Sequence, residues 1–189
     1  MFIDWLTLML LNMMVALILF ALFMWRFIEK DPKKSIPGFL LTGFIALMTG
    51  FRMVFNWPLP GPYNIIYGEL TVLFGAFLFM AGLAVHFGWS LITIGIYSLF
   101  AGAASILLGI RILDMKLTSE PIVAALGFIL TGGTAVLTLP ALALPKVKVL
   151  RWLVALAALG SAVIWIIVGF PAYWGHIDAF SKWAPGGGK

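Results

Sequence analysis

Charged residues are spaced so widely in this sequence that the runs between them are long enough to cross a membrane. The longest run, residues 70–110, holds 41 residues between Glu69 and Arg111 without one Asp, Glu, Lys or Arg. A helix rises about 1.5 Å per residue, so about 20 apolar residues cross the hydrocarbon core. This run therefore predicts two spans, divided at the polar, glycine-containing stretch 86–90.

The composition agrees with a membrane location. The chain is 63% hydrophobic and 10% charged, whereas soluble domains are about 45–50% apolar and about 25% charged. It has no cysteine, so disulfide scaffolds, thiolate metal sites and cysteine nucleophiles are excluded. We therefore expect an integral membrane protein rather than a cytosolic enzyme or a disordered chain.

The charge spacing predicts an all-α integral membrane protein with six transmembrane helices, since barrel strands would be short alternating segments. The domain would cover residues 1–170, and residues 171–189 would form an aromatic tail with a short interfacial helix. The spans are predicted at Trp5 to Trp25, Gly38 to Phe55, Ile65 to Phe87, Leu91 to Ile110, Ile122 to about Leu144, and Trp152 to Phe170, where Pro171 would stop the last helix.

The basic residues indicate an orientation. Loops at 26–34 and 146–151 hold seven Lys and Arg, and the opposite side holds five, including two in the tail. Because cytoplasmic loops carry the excess of Lys and Arg, the first group is predicted to be cytoplasmic. We therefore expect a multi-pass protein of the plasma (inner) membrane, with both termini on the extracytoplasmic side.

Several Gly, Pro and charged residues recur at an offset of 84–85 residues, as Pro37 and Pro121 do. This pattern fits two three-helix repeats, 1–87 and 88–170, which would sit in the membrane with opposite orientation, as in many transporters. Two unrelated hydrophobic segments with similar loop lengths would also share a few Gly and Pro. The sequence leaves both explanations open.

Small residues in the fourth span follow a strict helical spacing of three and four. Such a stripe lets helix backbones approach closely in lipid, so we expect this helix to be central. The packing residues are Gly95, Ser98, Gly102, Ser105 and Gly109. A similar series in the fifth span, Gly127, Thr131, Thr134 and Thr138, is either packing or a polar pathway.

Arg52 and Glu69 each lie about one turn inside the ends of neighbouring antiparallel spans. A lone charge in hydrocarbon costs at least about 2.5–3.5 kcal/mol, so the two side chains are expected to face each other or a polar cavity. Between them, prolines at 58, 60 and 62 stiffen the connection. The predicted site comprises Arg52, Glu69, Asn56, Trp57, Tyr63, Asn64 and Tyr67, with Asn64 also a candidate N-cap.

Three interpretations of this outer-face site are open. Arg52 and Glu69 would form a buried pair that fixes helix register, or Glu69 would be the ionisable group of a ligand, ion or proton site. Alternatively, the surface would dock a partner protein.

The stretch Trp57-Pro-Leu-Pro-Gly-Pro-Tyr-Asn64, with Phe51-Arg52 before it and Gly68-Glu69 after it, resembles a family of unknown function. That family comprises small polytopic membrane proteins from archaea and bacteria. The resemblance implies a multi-span fold and brings no activity, substrate or catalytic residue with it.

No catalytic residue, cofactor or metal site is predicted, because the chain lacks the His-Glu-x-x-His, Gly-x-Ser-x-Gly and phosphate-loop motifs. The sequence favours a non-enzymatic role and leaves an intramembrane enzyme open. The main hypothesis is the handling of a small ligand or ion near Arg52 and Glu69. The alternative is an accessory subunit of a larger, for example respiratory, membrane complex. Expected partners are the bilayer and other membrane subunits or further copies of the chain; no nucleic acid is expected.

Overall fold

The computed structural model describes residues 4–181 and contains six helices long and apolar enough to span a membrane. No strand occurs within these residues. The predicted all-α class and the six spans are therefore confirmed. The helices are α1 (Trp5–Lys30), α2 (Pro32–Asn56), α3 (Asn64–Phe87), α4 (Ile92–Met115), α5 (Pro121–Ala143) and α6 (Lys148–Phe180).

The ends of the helices follow from local chemistry. Asp4 caps α1, because its side chain accepts a hydrogen bond from the backbone N–H of Thr7 at 3.2 Å. The predicted division between the third and fourth spans is confirmed, since α3 ends where Gly88 adopts a left-handed φ of 72°. Glycine takes this conformation without a steric penalty. Pro121 occupies the first turn of α5, where its missing N–H costs nothing.

The prediction that Pro171 ends the last helix is wrong. α6 runs through Pro171 to Phe180, 33 residues in all. A proline removes one backbone hydrogen bond, and a membrane helix tolerates this when the helix continues on both sides. The predicted interfacial segment is thus, as far as it is described, a continuation of α6. Residues 182–189 of the predicted tail lie outside the described residues.

The six helices form a closed ring in chain order, because each packs against its neighbours in sequence and α6 packs against α1. The ring has two ends. The terminal face carries residue 4, the loops 57–63 and 116–120, and residue 181; the basic face carries residue 31 and the loops 88–91 and 144–147. Of the six neighbouring pairs, α3 and α4 are the least closely packed.

Glycines bring α2 and α3 close together. A Cβ added at Gly43 would lie 2.5 Å from the backbone nitrogen of Phe79, and one at Gly75 would lie 2.8 Å from that of Leu47. Gly50 and Gly68 are equally confined. These four glycines are spaced seven residues apart on each helix, so they fall on one side of it.

The small-residue stripe of α4 lies against α5. Gly102 and Gly132 meet so closely that a Cβ on either would lie 2.5 Å from the carbonyl oxygen of the other. The hydroxyls of Ser98 and Ser105 donate to carbonyl oxygens of α5, at 3.0 and 2.8 Å. Close approach and interhelical hydrogen bonds together hold this pair.

The expectation that α4 is central is wrong. Only 33% of its most apolar 18-residue stretch is buried, against 56% for α1. The stripe of small residues packs against one neighbour, α5, and much of the remaining surface of α4 lies on the outside of the ring. A stripe of small residues therefore reports one close contact, and it does not report how many neighbours a helix has.

The internal repeat stays a prediction. An offset of 85 residues pairs Gly75 with Gly160, and these two glycines are packed differently. Gly75 is pressed against the backbone of α2, whereas its counterpart Gly160 has its nearest neighbour, Leu130, at 3.9 Å.

Candidate functional site

A cavity of about 80 Å³ lies at the centre of the ring, and all six helices contribute to its wall. Most of the wall comes from α1, between Met9 and Phe20, and from α3, between Ile66 and Leu78. The other helices supply Ala46, Ser105, Phe128, Thr131, Thr134, Ala135 and Trp165. No Asp, Glu, Lys, Arg or His of the described chain lines the cavity. The wall is therefore apolar, with a few neutral polar groups.

Three of these polar groups have hydrogen-bonding capacity left over. The side-chain nitrogen of Asn12 donates to the carbonyl oxygen of Thr42 at 2.9 Å, while its amide oxygen has no partner in residues 4–181. The hydroxyls of Tyr67 and Thr71 likewise have none within that range. Asn12 is 9% exposed and Thr71 is 8% exposed. Buried polar groups are normally paired, so these groups are candidates for contact with a ligand.

The polar groups on the opposite wall are already paired. Thr131 and Ser161 share a hydrogen bond of 2.6 Å, and the indole N–H of Trp165 donates to the Thr131 hydroxyl at 2.9 Å. The hydroxyl of Thr134 donates to the carbonyl oxygen of Leu130 at 2.8 Å. This network fixes α5 against α6 and leaves little capacity for a ligand.

The free hydroxyl of Thr71 has a local cause. Threonines inside these helices usually donate to the carbonyl four residues earlier, as Thr42, Thr49, Thr131, Thr134 and Thr138 do. For Thr71 that carbonyl belongs to Tyr67, within the π-helical turn Asn64–Glu69. Such a turn shifts the register by one residue and is frequent at functional sites.

A chain of aromatic rings connects the terminal face to the cavity. Tyr63 and Tyr67 stack with centroids 6.2 Å apart, and Tyr67 lies 5.6 Å from Phe128. Phe128 in turn meets Trp165 edge to face at 5.2 Å. The Tyr63 hydroxyl donates to the carbonyl oxygen of Leu117, in the loop after α4. Tyr63 and Tyr67, both predicted site residues, thus belong to one aromatic path.

Of the three interpretations of the outer-face site, the buried pair of Arg52 with Glu69 is not formed. Within the described residues these two side chains form no ion pair, and both are exposed. The seam between α2 and α3 passes through Met53 and Gly68. Arg52 precedes Met53 on α2, and Glu69 follows Gly68 on α3. Because the two helices are antiparallel, both steps turn in the same direction about the helix axes, so Arg52 and Glu69 lie on opposite sides of that seam. The guanidinium of Arg52 instead lies 5.9 Å from the centre of the Trp5 ring.

The rest of the predicted outer-face site is a structured loop. Asn64 is fully buried and bonds the backbone of Leu59 twice, accepting from its N–H at 3.1 Å and donating to its carbonyl oxygen at 2.5 Å. It therefore holds the loop instead of capping α3. Asn56 and Trp57 are exposed, and Trp57 ends α2 in a left-handed conformation with φ 48°.

Charged residues meet at other places, where α6 closes on α1. At the basic face, Glu29 pairs with Arg151, which is 6% exposed, and with Lys148 at 3.4 Å. At the terminal face, Nδ1 of His176 lies 2.6 Å from Oδ2 of Asp4. In the described part of the chain, no three His, Asp or Glu side chains come together as a metal-binding group.

Sequence reasoning missed Asn12 and Thr71. The available signal was Asn12 itself, an amide near the middle of an otherwise apolar first span, because polar groups in a span generally face the bundle interior. Thr71 carried no signal, because the π-helical turn that frees its hydroxyl cannot be read from the sequence.

Comparisons with curated proteins and with solved structures give no match. A family model described as "Protein of unknown function (DUF981)" matches residues 1–179. The match covers all six helices, nearly to the end of α6. The chain therefore belongs to this family of unknown function.

Proposed function

We propose that this protein binds a small, neutral, mostly apolar molecule in the central cavity. The supporting observation is that Asn12 and Thr71, both nine-tenths buried, line one cavity with hydrogen-bonding capacity left over. These groups face the cavity, where a ligand can bond to them, and a hydrogen bond in such an apolar surrounding contributes about 0.5–1.5 kcal/mol. Such bonds would favour retention of the ligand in the cavity.

The size of the cavity limits what it accepts. At about 80 Å³ it is smaller than an apolar cavity of about 150 Å³ that takes up benzene, and a water molecule occupies about 30 Å³ in the liquid. Without rearrangement the cavity accommodates a compact polar group or two to three waters. An aromatic ring enters when the flexible side chains of Met9 and Met13, which line the cavity, move aside. The proposed ligand therefore presents a small head, such as a hydroxyl or carbonyl group, to Asn12, Tyr67 and Thr71.

A neutral ligand is favoured over an ion. Transfer of an unpaired charge into an apolar interior is far more costly than transfer of a hydroxyl. The wall supplies no carboxylate from the described residues. An outer-face site at Arg52 and Glu69 would also be open-sided, because both side chains are exposed, so the central cavity is the better-supported location.

A pair of matched variants tests the proposal. Thr71→Val and Thr134→Val make the same change on opposite walls of the same cavity, but only the Thr134 hydroxyl is bonded to its own helix. The purified protein in lipid nanodiscs would be titrated with 4-methylphenol while its thermal unfolding is followed. We expect the phenol to raise the Tm of the wild type and of Thr134→Val, and to raise that of Thr71→Val less.

At a ligand concentration of about 100 Kd, binding to the folded state adds about 2.7 kcal/mol of stability, enough for a clear Tm shift. Phenol, cyclohexanol and a ketone of similar size would extend the series. If none of these compounds changes the Tm of the wild type, or if both variants lose the effect equally, the cavity is not a ligand site of the proposed kind.

The alternative is an accessory subunit of a larger membrane complex. One observation favours it: a Cβ added at Gly133 on α5 would have no atom within 4 Å, and a small residue facing outward leaves room for a partner helix. Native mass spectrometry after mild extraction separates the two proposals. Recovery as a lone protomer or a homo-oligomer would contradict the subunit hypothesis.

A further inference from the structure

A second cavity lies in the seam between α3 and α4. It measures about 170 Å³ and is lined by Ala76, Phe77, Met80, Thr93, Ile94 and Tyr97. Phe77 also lines the central cavity, so the two spaces adjoin at this side chain. Its wall is apolar apart from Thr93 and Tyr97, both exposed on the outer surface of α4. The seam cavity is therefore a space between the core of the ring and the surface that faces lipid.

The other five seams are closed by specific contacts near the cavity. The Asn12 side chain crosses from α1 to the backbone of α2, and glycines close α2 on α3 and α4 on α5. Thr131 and Ser161 join α5 to α6. Between α6 and α1, a Cβ at Gly169 would lie 2.1 Å from the Met14 side chain. A molecule coming from the bilayer would therefore meet least resistance between α3 and α4.

The two cavities overlap at Phe77 and are centred at different depths along α3. Thr71 and Phe77 are six residues apart, which is about 9 Å along a helix, and Tyr67 and Met80 are about 20 Å apart. The uncommitted polar groups are thus closer to the terminal face than the apolar seam cavity is. An elongated molecule could therefore place a polar head in the central cavity and an apolar tail in the seam cavity.

We propose that the natural ligand is a tailed lipophile, whose compact hydrogen-bonding head occupies the central cavity and whose hydrocarbon tail leaves past Phe77 between α3 and α4. This inference rests on the proposed function and adds the substrate class. It also accounts for the small volume of the central cavity, because only the head has to fit there. Entry is lateral, from the bilayer.

The test compares 4-methylphenol with 4-octylphenol, incorporated at the same mole fraction in nanodisc lipid. Equal mole fraction removes the difference in partitioning, so any remaining difference reports contact of the tail with the protein. Because many weak contacts along a tail add up, we expect 4-octylphenol to bind at least about tenfold more tightly. 4-Methylphenol measures the head alone and thereby tests the proposed function separately.

Ala76→Trp fills the seam cavity and leaves the central wall unchanged. We expect it to remove the advantage of 4-octylphenol while 4-methylphenol binds as in the wild type. Ala103→Trp is the matched control, because Ala103 is exposed on α4 and lines neither cavity. If Ala76→Trp does not fold, Thr93→Trp makes the same obstruction from the α4 side.

A photoreactive diazirine at the end of the octyl tail gives an independent readout. Labelling of Met80 and Tyr97 is expected, and its loss in Ala76→Trp would support the path. Equal affinity for both phenols, or tail labelling confined to α1 or α6, overturns the inference while the proposed function stands. Failure of both phenols to bind overturns the proposed function as well.

Discussion

The seams α6–α1 and α3–α4 lie on opposite sides of the ring and are held in different ways. α6 and α1 are remote in sequence, and charged or polar contacts join them at both faces: Glu29 with Arg151 at one, Asp4 with His176 at the other. α3 and α4 are consecutive, joined by the connector 88–91 at the basic face and by the hydrogen bond from Tyr63 to Leu117 at the terminal face.

The difference shows where a ring of helices can open without falling apart. Separating α6 from α1 would expose the buried Arg151 and break the closure of the ring, because no peptide connection holds those helices together. Separating α3 from α4 in the middle breaks few contacts, and the connector keeps the ends in place. A seam between consecutive helices is therefore the cheaper place for an entrance.

The largest expected difference between the seams is in their tolerance of added volume. A Cβ at Gly169 would lie 2.1 Å from the terminal methyl of Met14 and 3.5 Å from the Cβ of Leu10. The flexible end of Met14 can yield to one methyl group, but Gly169→Leu adds a whole side chain to this contact, and overpacking of this kind costs about 1–3 kcal/mol. Ala76→Leu extends into the seam cavity and is expected to change stability by no more than about 0.5 kcal/mol. Thermal unfolding in one detergent measures both. A lower Tm for Ala76→Leu than for Gly169→Leu would show that α3–α4 is the tighter seam.

The second prediction concerns the charged closure at the basic face. Glu29→Gln leaves Arg151, 6% exposed, without its carboxylate, so we expect a clearly lower Tm. Glu29→Gln combined with Arg151→Met should recover part of the loss, because no buried charge is then left unpaired.

Asp31→Asn is the matched control for this prediction. It removes a carboxylate from the same face, but Asp31 pairs with Lys34 at 3.7 Å and both side chains are exposed, where such pairs contribute little. Equal Tm changes for Glu29→Gln and Asp31→Asn would mean that the closure at Glu29 does not hold the ring.

The sequence was sufficient to locate the helices. It was insufficient to predict how each helix is rotated about its own axis, and hence which residues face the neighbouring helix. The spacing of charges located all six spans, because an uncharged run of known length has a direct physical meaning in a membrane. The same reasoning placed Arg52 and Glu69 correctly at similar depth. It could not tell that they lie on opposite sides of the α2–α3 seam, since that depends on which residues form the seam. The seven-residue spacing of Gly43 and Gly50, and of Gly68 and Gly75, would have located it.

The cavity could not be predicted for a different reason. Its wall combines residues from all six helices, so it exists only once the ring is closed. Asn12 and Thr71 are 59 residues apart in sequence, and nothing in either segment points to the other. Likewise, the pairing of Glu29 with Arg151 joins residues 122 positions apart. Long-range closure of this kind leaves no local pattern.

The third prediction separates two roles of Asp4 in the closure at the terminal face. Asp4→Ala removes both the cap on α1 and the contact with His176, and loss of a cap alone costs about 1 kcal/mol. Asp4→Asn keeps a capping side chain, so we expect it to lose less. Amide exchange in the first turn of α1 should rise in Asp4→Ala and stay near wild type in Asp4→Asn; equal exchange in both would mean that the cap contributes nothing.

The last prediction concerns Tyr63→Phe, which has a modest effect on stability and acts on the other seam. This change removes one neutral hydrogen bond, to the carbonyl oxygen of Leu117, which contributes about 0.5–1.5 kcal/mol. The bond joins the start of α3 to the end of α4, so its loss should loosen that seam more than the rest of the ring.

Because the chain has no cysteine, a single cysteine at Ala76 reports opening of the seam through its rate of thiol labelling. Ala76→Cys with Tyr63→Phe should label faster than Ala76→Cys alone, whereas a cysteine at Ala162, buried on α6, should label at the same slow rate with or without Tyr63→Phe. Faster labelling at both positions would mean that the whole ring loosens together, and the difference between the two seams would then disappear.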